Sequence, residues 1–563
     1  MSIILSLLKK YGYSRCISCF IVWISFAGPA YAETPAAVVS AHHLATSAGY
    51  EILDQGGNAF DAAVAVSAAL AVVEPYASGL GGGGFWLLHE AKTGREVMID
   101  GRETAPGEAS ATMYLDNQGH PVPGKSLNGP LAAGIPGSPA ALVYLSRQYG
   151  QLELAQSLAP AIRLAQEGFK VDQRFAQALD YHKKKLMRYA DTAKIFLPNG
   201  HPPAAGQLFR QPQLAATLDA IAQSGRHGLY AGPVAQELIR SVRETGGIWR
   251  ERDLIDYRVA ERKPIQFSYG NARITTATLP SAAGLTLTQA LNMLEWLPFD
   301  DSDELDRAHL IVEVLRLAYK DRVELLGDSD YVQVPVKKLV SKVYARQQAV
   351  SIDLKRAGVS LPEQPVANEG RETTHFSILD KDGNRVAATM SINTFFGSGF
   401  VAGNTGILLN NEMDDFAMGA DVPNVFGLYG SSANAIAPGK RPLSSMSPTF
   451  VENDEGILIF GTPGGSRIIS MVLLVILDYV NNGQTDPQKL VARSRFHHQY
   501  LPDFIQIEPE AFGPGWVWSM RSRGHVVRAM QRKWGNMQMI FFDKKSRQSL
   551  VASDPRGMRD THY

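Results

Sequence analysis

Thr373 and Thr374 follow a Gly-Arg-Glu sequence and open the stretch THFSILD. A threonine hydroxyl is a poor nucleophile at its ordinary pKa and needs a base held beside it. If the Glu372–Thr373 bond were cut, Thr373 would carry a free α-amino group, whose pKa in model peptides is about 7.7–8.0. Such an amine is partly neutral at about pH 7, so one residue would supply both nucleophile and base. The chemistry requires the threonine to open a strand, with amine and hydroxyl projecting together at a sheet edge. The residues alone leave a plainer reading open, in which Thr373 merely caps that strand.

Other candidate groups are ambiguous when taken singly. Arg102 in DGRETAP reads as a surface ion pair, SSMS (444–447) as a polar turn and NNEMDD (410–415) as an exposed acidic loop. GLGGGG (79–84) fits G-x-G-x-x-G but follows a helical pattern instead of a strand, so a tight loop against something buried is the better reading. GTPGGS (461–466) lacks the lysine of a phosphate loop, and DKDGN (380–384) lacks the downstream glutamate of a calcium loop. His42/His43 and His497/His498 have no metal-ligand spacing and read as structural. Both cysteines, Cys16 and Cys19, fall in the first 32 residues. The rest of the chain therefore has no thiol for catalysis or zinc binding.

These groups need elements to hold them. Residues 43–75 read as two helices: one stopping at Gly56-Gly57, the next capped by Asn58 and apolar on all sides, hence buried. Residues 137–330 read as mostly helical. The stretch 351–372 is polar with few large apolar residues, which predicts an exposed segment. The period then changes to two: THFSILD, a turn around KDGN, and RVAATMSIN make a hairpin. Further strands are expected at 399–409, 448–452, 456–461, 503–507 and 537–543, and a buried helix at 469–480. Strands with apolar faces need helices to cover them, so the helical and strand-rich halves should share a core.

Apolar residues make up 45% of the chain and charged ones 20%, the proportions of a globular protein. Lys+Arg and Asp+Glu both number 55, which gives no pointer to nucleic acid or a membrane surface. Residues 1–32 differ: a basic start at Lys9, Lys10 and Arg15, the apolar run ISCFIVWISFA, then AYA before Glu33. That is the pattern of a cleaved secretory leader, too short for a membrane span, and it predicts a periplasmic or secreted protein; an uncleaved N-terminal anchor is the other reading of these residues.

The motifs ETTHFSILDKDGN, NTFFGSGFVAGNTGILLNNEMDDF, VPNVFGLYG, KRPLSSMSPT and GTPGGSRI together resemble the gamma-glutamyltransferase (gamma-glutamyltranspeptidase) family of N-terminal-nucleophile hydrolases. GGNAFDAAVAV, GLGGGGF, DGRETAP and GPLAAGIPG extend the likeness into the first half, over most of residues 35–556. The resemblance implies an α+β fold, a four-layer αββα sandwich. It also implies a precursor that cuts itself after Glu372 into a heavy subunit, 33–372, and a light subunit, 373–563, with no cofactor or metal. The reaction would pass a γ-glutamyl group from glutathione or another γ-glutamyl compound, through an ester on Thr373, to water or to an amino acid or dipeptide.

Residue by residue, Thr373 matches the family nucleophile. Ser391 matches a hydroxyl residue that hydrogen-bonds it. Gly464 and Gly465 match the pair whose N–H groups form the oxyanion hole. Arg102, Ser444 and Ser445 match the clamp on the substrate's α-carboxylate. Asn393, Glu412 and Asp415 match the holders of its α-ammonium; position 412 is Gln in some members. The stretch 416–434 matches a lid, with Phe426 where many bacterial members have Tyr, so a lid hydrogen bond to the pocket Asn would be missing. Two other readings stay open: a related glutaryl-cephalosporin acylase, though such enzymes commonly lack the lid, and an exported, uncleaved homologue that only binds amino acids or peptides.

Overall fold

The computed structural model describes residues 35–360, 373–419 and 422–557. The leader expected at 1–32, and Glu372 at the expected cleavage point, lie outside the described residues.

The two expected helices form at His43–Asp54 and Ala59–Val73. Asn58 caps the second: its side chain accepts the N–H groups of Phe60 and Asp61, and Asp61 reciprocates at the Asn58 N–H. All fifteen residues of that helix are buried, as its apolar periphery requires.

Two six-stranded sheets carry the rest. In spatial order, sheet I runs Ala37–Ser40, Thr374–Leu379, Arg385–Ser391, Gly83–Glu90, Arg95–Asp100 and Ala260–Arg262. Sheet II runs Gln548–Ser553, Gln538–Asp543, Gly456–Gly461, Thr449–Glu452, Ala272–Thr276 and Ile265–Tyr269. Every pairing within both is antiparallel.

The strand period sorts the side chains of sheet I into two cores. Val39, Phe85, Leu87, Met98, Leu379 and Ala387 join sheet II and the helices Ala283–Leu294, Glu304–Leu325 and Arg467–Val480. Val38, Trp86, Leu88, Ile99, Ile378 and Ala388 join the helices at 43–54, 59–73 and 138–149. The central strands of sheet I are therefore covered on both faces. The two halves of the chain share these cores, as expected. The hairpin is also where it was placed: Asp380 accepts the N–H groups of Asp382 and Asn384 and closes its turn.

Several expectations need correction. Residues 399–409 form no strand. A Val401–Leu408 bridge flanks a short helical turn at Gly403–Thr405, because Gly399, Gly403 and Gly406 adopt positive φ and turn the chain. Of 503–507, only Ile505–Ile507 is a strand, and it belongs to a separate three-stranded sheet. The helical stretch also contains five strands: the short pair Phe169–Lys170 and Leu208–Phe209, and three more between Ala260 and Thr276. Of the polar segment, residues 351–360 are described; they are mostly exposed and have no regular structure.

Candidate active site

Thr373 sits at the start of the strand Thr374–Leu379 and is 5% exposed. Its hydroxyl donates to Ser391 Oγ at 3.3 Å. Ser391 ends the partner strand, so the hairpin's own register brings the two together. The Gly-rich loop seals the other side: a Cβ on Gly82 would overlap the Ser391 carbonyl, and one on Gly81 the Leu408 carbonyl. The GLGGGG glycines are there for close backbone approach, as the tight-loop reading required.

Ser391 Oγ also accepts the N–H of Asn393 at 2.8 Å. Asn393 holds φ +76° and donates its side-chain amide to the Asn411 carbonyl at 2.9 Å, tying the loop after Ser391 to the acidic stretch. That stretch, read singly as an exposed loop, is largely interior: Glu412 is 1% exposed and Asp414 2%.

Arg102 follows the strand Arg95–Asp100 and is 1% exposed. Its guanidinium lies 2.6 Å from Glu412, 2.6 Å from Asp415 and 3.5 Å from Glu103. Burial works against the Arg102 charge, but these three carboxylates outweigh it and raise its pKa. The carboxylates bear the cost. Burial, with Asp415 nearby, pushes Glu412 up to about 7 against the pull of Arg102. Burial, with Glu412 nearby, pushes Glu103 well above the usual range. Among the described residues no donor reaches either oxygen of Glu103.

Gly464 and Gly465 turn the chain from the strand Gly456–Gly461 into the helix Arg467–Val480, at φ +145° and +59°. Their carbonyls accept the N–H groups of Arg467 and Ile468, and among the described residues neither glycine donates its own N–H. Two free N–H groups at a helix N-terminus form a site for developing negative charge.

Thr373, Ser391, Asn393, Arg102, Glu412, Asp415, Phe426, Ser444, Ser445 and Gly465 line one pocket; Gly464 is not among its lining residues. Phe426 and Leu428, from the stretch expected to be a lid, line it as well. Asn424 donates to Asp415 and accepts the N–H groups of Phe426 and Leu428. Asp414 accepts the Val425 N–H at 2.8 Å, and Gln499 donates to the carbonyls of Phe426 and Gly427. The lid is thus fixed by Asn424 and backbone groups, without a hydroxyl at position 426. The Phe426 ring instead packs on Gly465, where a Cβ would collide with it.

Sequence reasoning missed Arg322, which lines the same cavity from the 22-residue helix Glu304–Leu325. Asp303 caps that helix, but the cap marks only where it starts and does not single out Arg322. Among the described residues one trio could offer three ligands to a metal, His309, Glu313 and His525. Its atoms already have partners, within the trio and outside it: His309 Nδ1 lies 2.8 Å from His525 Nε2, His309 Nε2 lies 2.8 Å from the Asp353 carbonyl, and Glu313 meets Arg316 and the Gly358 N–H.

Comparison with known proteins agrees with this geometry. The family model for gamma-glutamyltranspeptidase matches residues 45–562. The chain is 41% identical to a glutathione hydrolase proenzyme of Escherichia coli K12 over 532 residues, 93% of this chain and 90% of that protein. It is 33% identical to the acylase ACY 1 proenzyme of Pseudomonas sp. SE83, over 90% of this chain and 89% of that one. The crystal structure of a cephalosporin acylase from Bacillus halodurans superposes with a TM-score of 0.80 at 28% identity, covering 95% of this chain and 97% of that one. The chain belongs to the gamma-glutamyltranspeptidase family.

Proposed function

We propose that this protein is a γ-glutamyltransferase and glutathione hydrolase, made as a precursor that cuts itself between Glu372 and Thr373. In this reading the fold is a four-layer αββα sandwich, sheets I and II inside and helices outside. The leader at 1–32 directs export, and 33–372 and 373–563 remain associated as heavy and light subunits.

One observation carries the reading: a nucleophile and its hydroxyl partner share one pocket with clustered charges of both signs. A γ-glutamyl group ends in a zwitterion, and burying either charge unpaired costs several kcal/mol. Glu412, Asp415 and the Asn393 amide oxygen take the ammonium. Ser444, Ser445 and the guanidinium of Arg102 take the carboxylate. Bound this way, the γ-carbonyl faces Thr373. The freed amine of Thr373 accepts the hydroxyl proton as Oγ attacks, and the oxygen turns toward the N–H groups of Gly464 and Gly465. The Thr373 ammonium returns that proton to the leaving nitrogen as the C–N bond breaks, so the tetrahedral intermediate expels a neutral amine and leaves a γ-glutamyl ester on Thr373. Water or the amine of an amino acid or dipeptide then displaces Thr373.

The acylase reading fits less well. A glutaryl side chain has no ammonium, and the surplus carboxylates around Arg102 would face it uncompensated. The test is turnover of γ-glutamyl-p-nitroanilide against the glutaryl analogue, with a denaturing gel and N-terminal sequencing of the small fragment. The γ-glutamyl donor should be preferred by at least about 10²-fold, and the fragment should begin at Thr373. A preference for the glutaryl donor, or a single uncut band in the wild type, would overturn the proposal. Thr373→Ala should remain one band and be inactive.

A further inference from the structure

Arg102 was expected to hold the substrate carboxylate, but three protein carboxylates already lie within 3.5 Å of it. A fourth would meet net repulsion unless another cation shared the load. The cavity contains one. Arg322 is 4% exposed, and among the described residues it makes no ion pair; its side chain's single hydrogen bond runs from Nη2 to Ser445 Oγ at 3.2 Å. Its Nε–H is buried with no acceptor. A buried guanidinium is ordinarily matched by a carboxylate, because desolvating an unpaired one costs several kcal/mol. Here, among the described residues, no carboxylate is in contact, although the group lines the cavity and feels the charge of Asp415, which offsets only part of its burial.

We propose that Arg322, reaching in from the heavy chain, is a specificity-determining residue that completes the pocket for the donor's α-carboxylate, acting together with Ser445. The inference rests on the γ-glutamyl reading above. Ser445 Oγ accepts from Arg322, so its own proton remains available to donate to a carboxylate, while the guanidinium supplies the charge. With Glu103, Glu412 and Asp415 set against Arg102 and Arg322, the pocket charges balance to within one unit. The two ends of the zwitterion then have different hosts: surplus acid for the ammonium, and Arg322 and the serines beside Arg102 for the carboxylate.

The test compares three p-nitroanilide donors on the full-length protein: γ-glutamyl, 4-aminobutanoyl (amine kept, α-carboxylate absent) and glutaryl (carboxylate kept, amine absent). Wild type should strongly prefer the first. In Arg322→Gln the γ-glutamyl to 4-aminobutanoyl ratio of kcat/KM should fall by roughly 30- to 100-fold, while the γ-glutamyl to glutaryl ratio changes far less. Equal losses on all three donors would mean that Arg322 only supports the fold, and would overturn the inference. So would a change confined to the acceptor, read as glycylglycine against glycylglycinamide. If Arg322→Gln remains a single precursor band, Arg322→Lys carries the test: it keeps the charge but loses the fork, so the first ratio should fall several-fold, and an unchanged ratio overturns the inference. Failure of wild type to cleave the γ-glutamyl donor would count against the proposed function instead.

Discussion

Two buried charge clusters in this molecule share ingredients and differ in accounts. Around Asp503 every neighbour is a donor or a cation: the Ser360 N–H at 2.7 Å, His498 at 3.0 Å, and Arg316, which also meets Glu313 and Ser360. Burial pushes Asp503 up, but His498, Arg316 and Ser360 outweigh it and hold the carboxyl below its usual range. Around Arg102 the neighbours of each carboxylate include other carboxylates, and complete burial pushes Glu412 and Glu103 up, whereas Asp503 is 24% exposed. The degree of burial adds to that difference but does not by itself mark a binding cluster. Completion does. A surplus of buried carboxylate beside an unpaired guanidinium is a set of interactions that a zwitterion would finish.

The strongest way to break this contrast is to remove one arginine from each cluster. Arg316→Leu orphans Asp503 and Glu313, and should destabilise the protein by about 3–5 kcal/mol, seen as a large fall in thermal midpoint and a loss of mature subunits. Arg322→Leu orphans no carboxylate, and should change stability by no more than about 1 kcal/mol. Comparable falls in the two variants would show that both clusters are structural.

The sequence made parts of this contrast readable and hid others. Asn58, the Asp380 turn and the all-round apolar helix announced themselves through local chemistry, and the structure places them as read. The strand at 265–269 was missed although PIQFSYGN alternates into a Gly-Asn turn, because it sits inside a helical neighbourhood. The apolar residues of 399–409 suggested a strand, but the positive φ of three glycines decided otherwise. Thr373, Arg102 and Gly465 could be grouped only by family likeness. They are far apart in the chain, and the topology of two sheets, not any spacing, brings them to one cavity. Arg322 belongs to no short motif, so nothing local distinguished it from any other arginine on a helix.

The reacting end of the cavity permits a sharper comparison with the charged end. Gly465 holds φ +59° and lies under the Phe426 ring. Gly465→Ala would strain the turn, push the lid off and misplace one N–H of the proposed oxyanion hole. kcat should fall by about 10²–10³-fold, while the γ-glutamyl to 4-aminobutanoyl ratio, which reports on the charged end, should hardly move. A loss of discrimination equal to the loss of rate would mean that the two ends are not separable.

The smallest expected effect concerns Glu412 and pH. Its carboxyl titrates at about 7 in the folded protein, against an ordinary 4.5, because of burial first and Asp415 as well. Between those values the folded chain holds a proton that the unfolded chain has lost, so stability without donor should fall as pH rises from about 4.5 to about 7. Donor binding should run the opposite way. The substrate ammonium prefers the ionised carboxylate, so KM for γ-glutamyl-p-nitroanilide should drop as pH climbs through about 7. Glu412→Gln removes the titrating group and should flatten both slopes. It should raise KM at about pH 8 by less than about tenfold, because Asp415 and Asn393 still hold the ammonium. Thermal midpoints and KM values at about pH 5 and about pH 8 check the pair of slopes together. If the variant keeps the wild-type pH dependence of KM, the titrating group belongs elsewhere, with Asp414 beneath the lid, which burial also raises to about 7, as the next residue to change.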